Sequence, residues 1–251
     1  ANVKTQSDSI NYALGAANAG GIRQYVLMAD TADAEKVAQF CEGIEVSLNK
    51  QTSSERIAIE GYRMGISMGD EVKTGFLFND STIPANKELI VTYFKKMINL
   101  EKDVMDPEEG MQYFQSLMGP TMQSGAPANL TAEQVDSVNM ILGIINGNGA
   151  RKYILGKDTT KKDINTFVAE FEKGLNNTED NELYTRGLEI GSNMNQQFSR
   201  SEYLFNDSTI ELRLDLIRRG LLENLKQEAN VIMTAEEATE WLNKTMEAKA
   251  A

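Results

Sequence analysis

Leu77-Phe78-Asn79-Asp80-Ser81-Thr82 recurs letter for letter as Leu204-Phe205-Asn206-Asp207-Ser208-Thr209, 127 places on. Six identical residues in a row read as an internal duplication, and a duplication decides the architecture. Val138, Leu142, Ile145, Gly149 and Tyr153 stand 128 places after Ile10, Leu14, Ala17, Gly21 and Tyr25. Ile164, Phe167, Val168, Phe171 and Leu175 stand 127 after Val37, Phe40, Cys41, Ile44 and Leu48. Gly187, Ile190, Gly191 and Met194 stand 126 after Gly61, Met64, Gly65 and Met68, and Ile217, Leu221 and Leu225 match Ile90, Phe94 and Ile98. Within each set the apolar residues return at 3- and 4-residue steps, the signature of one helix face. The offset drifts only at turns, where insertions are tolerated.

The expected fold is therefore all-α, a tandem duplication of a five-helix unit. Domain 1 is expected over residues 1–120, a linker over 119–130 (Pro120, Gly125 and Pro127), and domain 2 over 130–251. Each unit reads as two helix pairs. The first helix of every pair carries small-x-x-x-small: Gly15/Ala19, Gly61/Gly65, Gly143/Gly147 and Gly187/Gly191. Such glycines weaken a helix by about 1 kcal/mol each relative to Ala, a cost that goes with close approach of a neighbouring backbone. Helix caps are expected at Asp8 or Ser9, Asp30-Thr31, Ser81 or Thr82 (with Pro84 in the first turn), Asp106 and Asp158-Thr159, and a capping box at Ser208 and Glu211.

The totals bound the function. The net charge of −12 divides evenly, with 11 basic and 17 acidic residues in 1–125 and 14 and 20 in 126–251. An acidic surface argues against nucleic acid as a partner. The chain has no histidine, which removes the usual general base and the commonest zinc ligand. Cys41 is the single cysteine, so no intramolecular disulfide forms, and its place on an apolar stripe opposite Val168 reads as a buried thiol. No apolar run approaches the roughly 20 residues that span a bilayer. The start at Ala1 rather than Met is consistent with signal-peptide removal or with trimming; an exported, periplasmic or secreted location is the expectation.

Tyr12-Ala13-Leu14-Gly15, a later glycine, an Asp-Thr turn, then Phe40 and Glu42-Gly43 through Leu48 resemble a known module. So do Leu142-Gly143, Phe167 and Glu170 through Lys173-Gly174-Leu175. Both are similar to the N-terminal helical domain of FKBP-type peptidyl-prolyl isomerases of the macrophage infectivity potentiator group. The resemblance implies an all-α module that dimerises by intertwining two chains and helps hold unfolded clients. It also implies a catalytic β-domain, and this sequence carries no run of alternating strands to supply one. The expectation is a non-catalytic interaction or holdase module without cofactor or metal, a monomer whose fused helix pairs mimic the family's dimer. Its partners would be unfolded or apolar protein segments, held in a groove near Tyr25, Tyr153, Met111, Met118 and Met122. An isomerase or isomerase-associated subunit, and a purely structural oligomerisation protein, stand as alternatives.

Three bland readings sit beside sharper ones. Asp80 and Asp207 offer isolated carboxylates, too few for a calcium site, and suit helix caps. Glu108-Glu109 and Glu236-Glu237 fall in first turns of helices, where negative charge complements the dipole. Asp-Ser/Thr pairs at Ser9, Thr31, Ser81, Ser137, Thr159 and Ser208 match an O-glycan acceptor pattern that capping explains equally well.

Overall fold

The computed structural model describes residues 2–177 and 179–251. Among them the chain is all-α apart from one short hairpin. In order come α1 (Gln6–Ile22), α2 (Ala34–Ser47), α3 (Ser53–Val72), β1 (Phe76–Leu77), β2 (Asp80–Pro84), α4 (Lys87–Ile98), α5 (Pro107–Ser124), α6 (Ala132–Tyr153), α7 (Lys161–Leu175), α8 (Glu182–Phe198), α9 (Leu214–Leu225) and α10 (Ala235–Ala250). Among the described residues, five of these helices lie before residue 125 and five after it.

The packing does not divide the chain where the linker suggested. One compact unit is Ala1–Thr52 with Glu179–Ala251; the other is Ser53–Thr178. The expected domains 1–120 and 130–251 are thereby corrected. In the first unit α1 packs along α9, α2 along α8, and α10 against α1. In the second, α6 packs along α4, α7 along α3, and α5 against α6. Helix pairs do not close on themselves; each interleaves with a pair from the other half of the sequence.

Glycine makes this interleaving possible. A Cβ at Gly15 would overlap the carbonyl oxygen of Ile217, and one at Gly143 would overlap that of Ile90. Ile217 and Ile90 are themselves matched residues, so α1 meets α9 in the register in which α6 meets α4. Likewise Gly187 lies on Phe40 of α2 and Gly61 on Phe167 of α7. The register advances together along the pair, from Gly61 over Phe167 to Gly65 over Phe171, so these helices run parallel. Backbone-to-backbone contact of this kind leaves no space between the paired helices.

Each unit also contains the same buried asparagine clamp. Asn11 of α1 is fully buried; its Nδ2 donates to the carbonyls of Ser7 (2.9 Å) and Glu211 (2.8 Å), and its Oδ1 accepts from Arg213 N (2.7 Å). Asn139 of α6 does the same with Val135 (2.9 Å), Pro84 (3.1 Å) and Asn86 N (2.7 Å). Every hydrogen-bonding direction used is satisfied, so the polar group is tolerated in the core and fixes the segment leading into α9 or α4.

The caps differ from expectation. Thr5 caps α1 in a capping box with Asp8, Asp33 caps α2, and Thr160 caps α7. Asp106 caps α5 as expected. The repeated hexamer caps nothing. Asn86, not Ser81 or Thr82, caps α4, with Pro84 ending β2, and α9 begins at Leu214 without a capping box from Ser208 and Glu211. Instead the hexamer is a tight turn. Phe78 and Asn79 both have φ 54°, and Phe205 and Asn206 both have φ 55°. Two successive left-handed residues are the mark of a hairpin turn whose twist matches its strands. The Asp side chain then closes an Asx turn: Asp80 Oδ1 accepts from Thr82 N at 2.9 Å and Asp207 Oδ1 from Thr209 N at 2.9 Å. Finally, α5 runs through Gly119 and Pro120 and stops at Gly125 (φ 70°), which shortens the expected linker.

Candidate functional site

The groove expected between helix pairs is closed by the glycine contacts and filled by side chains. In the unit of residues 53–178, Phe94 of α4 stacks on Phe171 of α7, with ring centres 3.9 Å apart and planes 12° apart. Phe167 lies beside them at 6.3 Å. The five residues proposed for the groove do not line one. Tyr25 and Tyr153 are 73% and 76% exposed at the ends of α1 and α6, in different units. Met122 is 73% exposed and Met111 marginally so, whereas Met118 is 1% exposed and belongs to the core. Met118 faces inward because α5 lays that side against the core that also holds Phe94 and Phe167.

Concavity is found elsewhere. In the unit of Ala1–Thr52 and Glu179–Ala251, a cleft of about 1850 Å³ opens between the start of α1, the ends of α2 and α8, and the loop leading into α9. Its walls are polar and of both signs. Arg213 is part of the wall, with Nη2 3.0 Å from Asp215 Oδ2 and Nη1 3.4 Å from Asp8 Oδ1. Arg218 Nη1 donates to the Leu48 carbonyl at 3.1 Å, tying α9 to the end of α2. The clamp places Arg213, because Asn11 accepts from its main-chain N–H.

Two carboxylates here, Asp8 and Asp215, are held in their charged form. Asp8 is lowered from the usual carboxylate range first by the main-chain N–H of Lys4 at 3.0 Å, opposed by burial and aided by Thr5 and Arg213. Asp215 is lowered chiefly by its hydrogen bond from Arg213. An acid already paired with a guanidinium is a poor proton acceptor, so the cleft is suited to recognition by hydrogen bonds and charge. Among the described residues, no group of three or more acidic, cysteine or histidine side chains gathers in a way that would hold a metal ion. No described helix is long and apolar enough to cross a membrane.

A second hollow, about 180 Å³, lies in the unit of residues 53–178 between α3 and α6. Glu60, Arg63 and Glu71 line it, with Glu60 paired to Arg63 and Glu71 raised by burial. It is too small for a peptide.

Sequence reasoning named neither the clamp nor the arginine. The signal was present: Asn11 and Asn139 are matched polar residues on otherwise apolar faces at the 128-residue offset. Arg213 carries no such mark, since its counterpart is Asn86.

Comparison with family models, curated proteins and solved structures finds no match to this chain.

Proposed function

We propose that the chain is a non-catalytic protein-interaction module, built by tandem duplication of helix pairs like those of the FKBP-type N-terminal domain. The observation that carries the reading is the reciprocal interleaving within each unit. The first helix of one pair packs on the second of the other, and the reverse (α1 on α9, α8 on α2), through backbone contact at glycine. That is the relation between subunits of a twofold dimer, and the resemblance implies such an intertwined dimer. With the interiors filled, partners are met on outer surfaces: the polar cleft and the exposed aromatic residues Tyr25, Tyr153, Phe78 and Phe205. An exported location accords with this use.

The test is suppression of aggregation of a reduced, unfolded client, with Tyr25→Ser and Phe205→Ser variants in parallel. The expected result is suppression at several-fold excess, weakened in the variants; no effect of the wild-type chain rejects the reading. The closed interiors favour one other reading, a purely structural oligomerisation protein. Light scattering that gives a stable assembly without any holding activity selects it. Catalysis in a proline-peptide isomerisation assay selects the isomerase instead.

A further inference from the structure

The two copies of the hexamer have one shape and different neighbours. In the unit of residues 53–178, the main-chain N–H of Ala128 donates to Asp80 Oδ2 at 2.8 Å, and that of Asn129 to Thr82 Oγ1 at 3.3 Å. Ala128 and Leu130 also pack on the hydrophobic core. The turn thus receives a passing segment, turned left-handed at Asn129 (φ 49°), through two acceptors, a carboxylate and a hydroxyl. In the other unit the same two atoms, Asp207 Oδ2 and Thr209 Oγ1, meet no main-chain donor among the described residues. Among the described residues the Lys249 ammonium approaches them, at 3.9 and 3.4 Å.

The acceptors are nonetheless oriented identically. Thr209 donates its hydroxyl to Asp207 Oδ1 at 2.6 Å, as Thr82 does to Asp80 at 2.5 Å, which turns the free lone pairs of each threonine outward. The open cleft adjoins this turn, with Ser208, Thr209 and Glu211 in its wall. A 3.9 Å ion pair between partly exposed groups contributes little and yields readily to a better donor. Main-chain N–H bonds to a carboxylate are charge-assisted and shorter.

We infer that the Asp207–Thr209 turn is a docking site for a peptide that presents two successive main-chain N–H groups on one side by turning left-handed at the second residue, in the manner of Ala128-Asn129. Such a peptide displaces the Lys249 ammonium and runs along the cleft. The favoured ligand resembles Pro127-Ala128-Asn129-Leu130: a proline of fixed φ, a small residue at the carboxylate, an asparagine that takes up the left-handed conformation, and a branched apolar residue after it. The inference deepens the reading of the chain as an interaction module by naming a partner class.

The experiment titrates a fluorescently labelled peptide of residues 123–131 into the full chain and follows anisotropy. Saturable binding is expected, tightened at least threefold by Lys249→Ala. Asp207→Asn is expected to weaken it at least tenfold. That variant keeps Oδ1 for Thr209 but sets an N–H donor where the peptide needs an acceptor. Equal affinity for wild type and a folded Asp207→Asn overturns the inference. So does absence of saturable binding to Lys249→Ala, which alters an exposed helix end and leaves the fold intact. Peptide binding without client holding would reject the holdase reading and leave this site standing; the reverse result would do the opposite.

Discussion

The unit of residues 53–178 and the unit of Ala1–Thr52 with Glu179–Ala251 share a frame and differ in filling. Their helix registers coincide at Gly143 on Ile90 and Gly15 on Ile217, and their asparagine clamps coincide bond for bond. Yet one has a single core built around Phe94, Phe167 and Phe171. The other divides into two clusters, around Phe40 and Leu221 and around Tyr12 and Ile210. It also ends α1 in a π-helical turn, Arg23–Leu27, and carries the open cleft. Backbone contact at glycine sets the frame, and such contact tolerates no change; side-chain infill is free to vary around it.

The strongest way to break this comparison is to widen the frame. Gly15→Ala and Gly143→Ala each force a Cβ into a backbone carbonyl, and each should cost about 3 kcal/mol or more. Hydrogen exchange should show lost protection only in the unit that carries the change. Equal loss in both units would mean that they do not unfold separately. Next comes the infill: Phe94→Ala should cost about 3–5 kcal/mol and Leu221→Ala about 2–5 kcal/mol, read as shifts of the denaturant midpoint. A larger loss at Phe94 would mark the aromatic stack as the better-packed core. The clamps come third. Asn11→Ala and Asn139→Ala each leave a half-buried main-chain N–H and C=O without their asparagine partner, at about 1–3 kcal/mol. Similar values are expected in both units.

Acid provides a finer probe. The folded pKa of Asp8 lies below its unfolded value, chiefly through the Lys4 N–H, and that of Asp80 does so through Thr82. Each group's contribution is present above about pH 4 and fades as the pH falls through the lowered folded pKa. Asp8→Asn should therefore reduce the loss of urea resistance between pH 6 and pH 3 in the Asp8 unit, and Asp80→Asn in the other. The smallest perturbation is chemical. Cys41 is buried and its thiol is pushed up to about 11 by desolvation, so a thiol reagent at pH 8 should not reach it in the folded chain. Gly15→Ala should release it and Gly143→Ala should not, which makes it a reporter for one unit.

The helices were legible because each displays a 3.6-residue apolar face, and the glycine spacing correctly implied close approach. Which helix met which was not legible, for a physical reason. Phe40 and Phe167 lie on matched faces, as do Gly61 and Gly187, so either phenylalanine fits either glycine by pattern alone. Only the path of the chain selects Gly187 for Phe40 and Gly61 for Phe167. The hexamer was misread because Asp-Ser-Thr serves both caps and turns. The left-handed pair that decides for a turn is concealed behind a phenylalanine, a residue rarely found at positive φ. The cleft was illegible because it is lined by residues from distant parts of the sequence, such as Asp8, Lys50 and Arg213.

The crossing of the chain from one unit to the other and back has a consequence for assembly. Neither half of the sequence contains both members of any of the four long helix contacts. A cut in the stretch from Gly125 to Thr131 would leave two fragments, each holding half of both units and neither able to close one alone. The intact stretch acts as a tether, and it makes the meeting of the halves a first-order event at high effective concentration. Once it is severed, the same contacts form between separate molecules, and folding becomes a reaction whose extent depends on dilution.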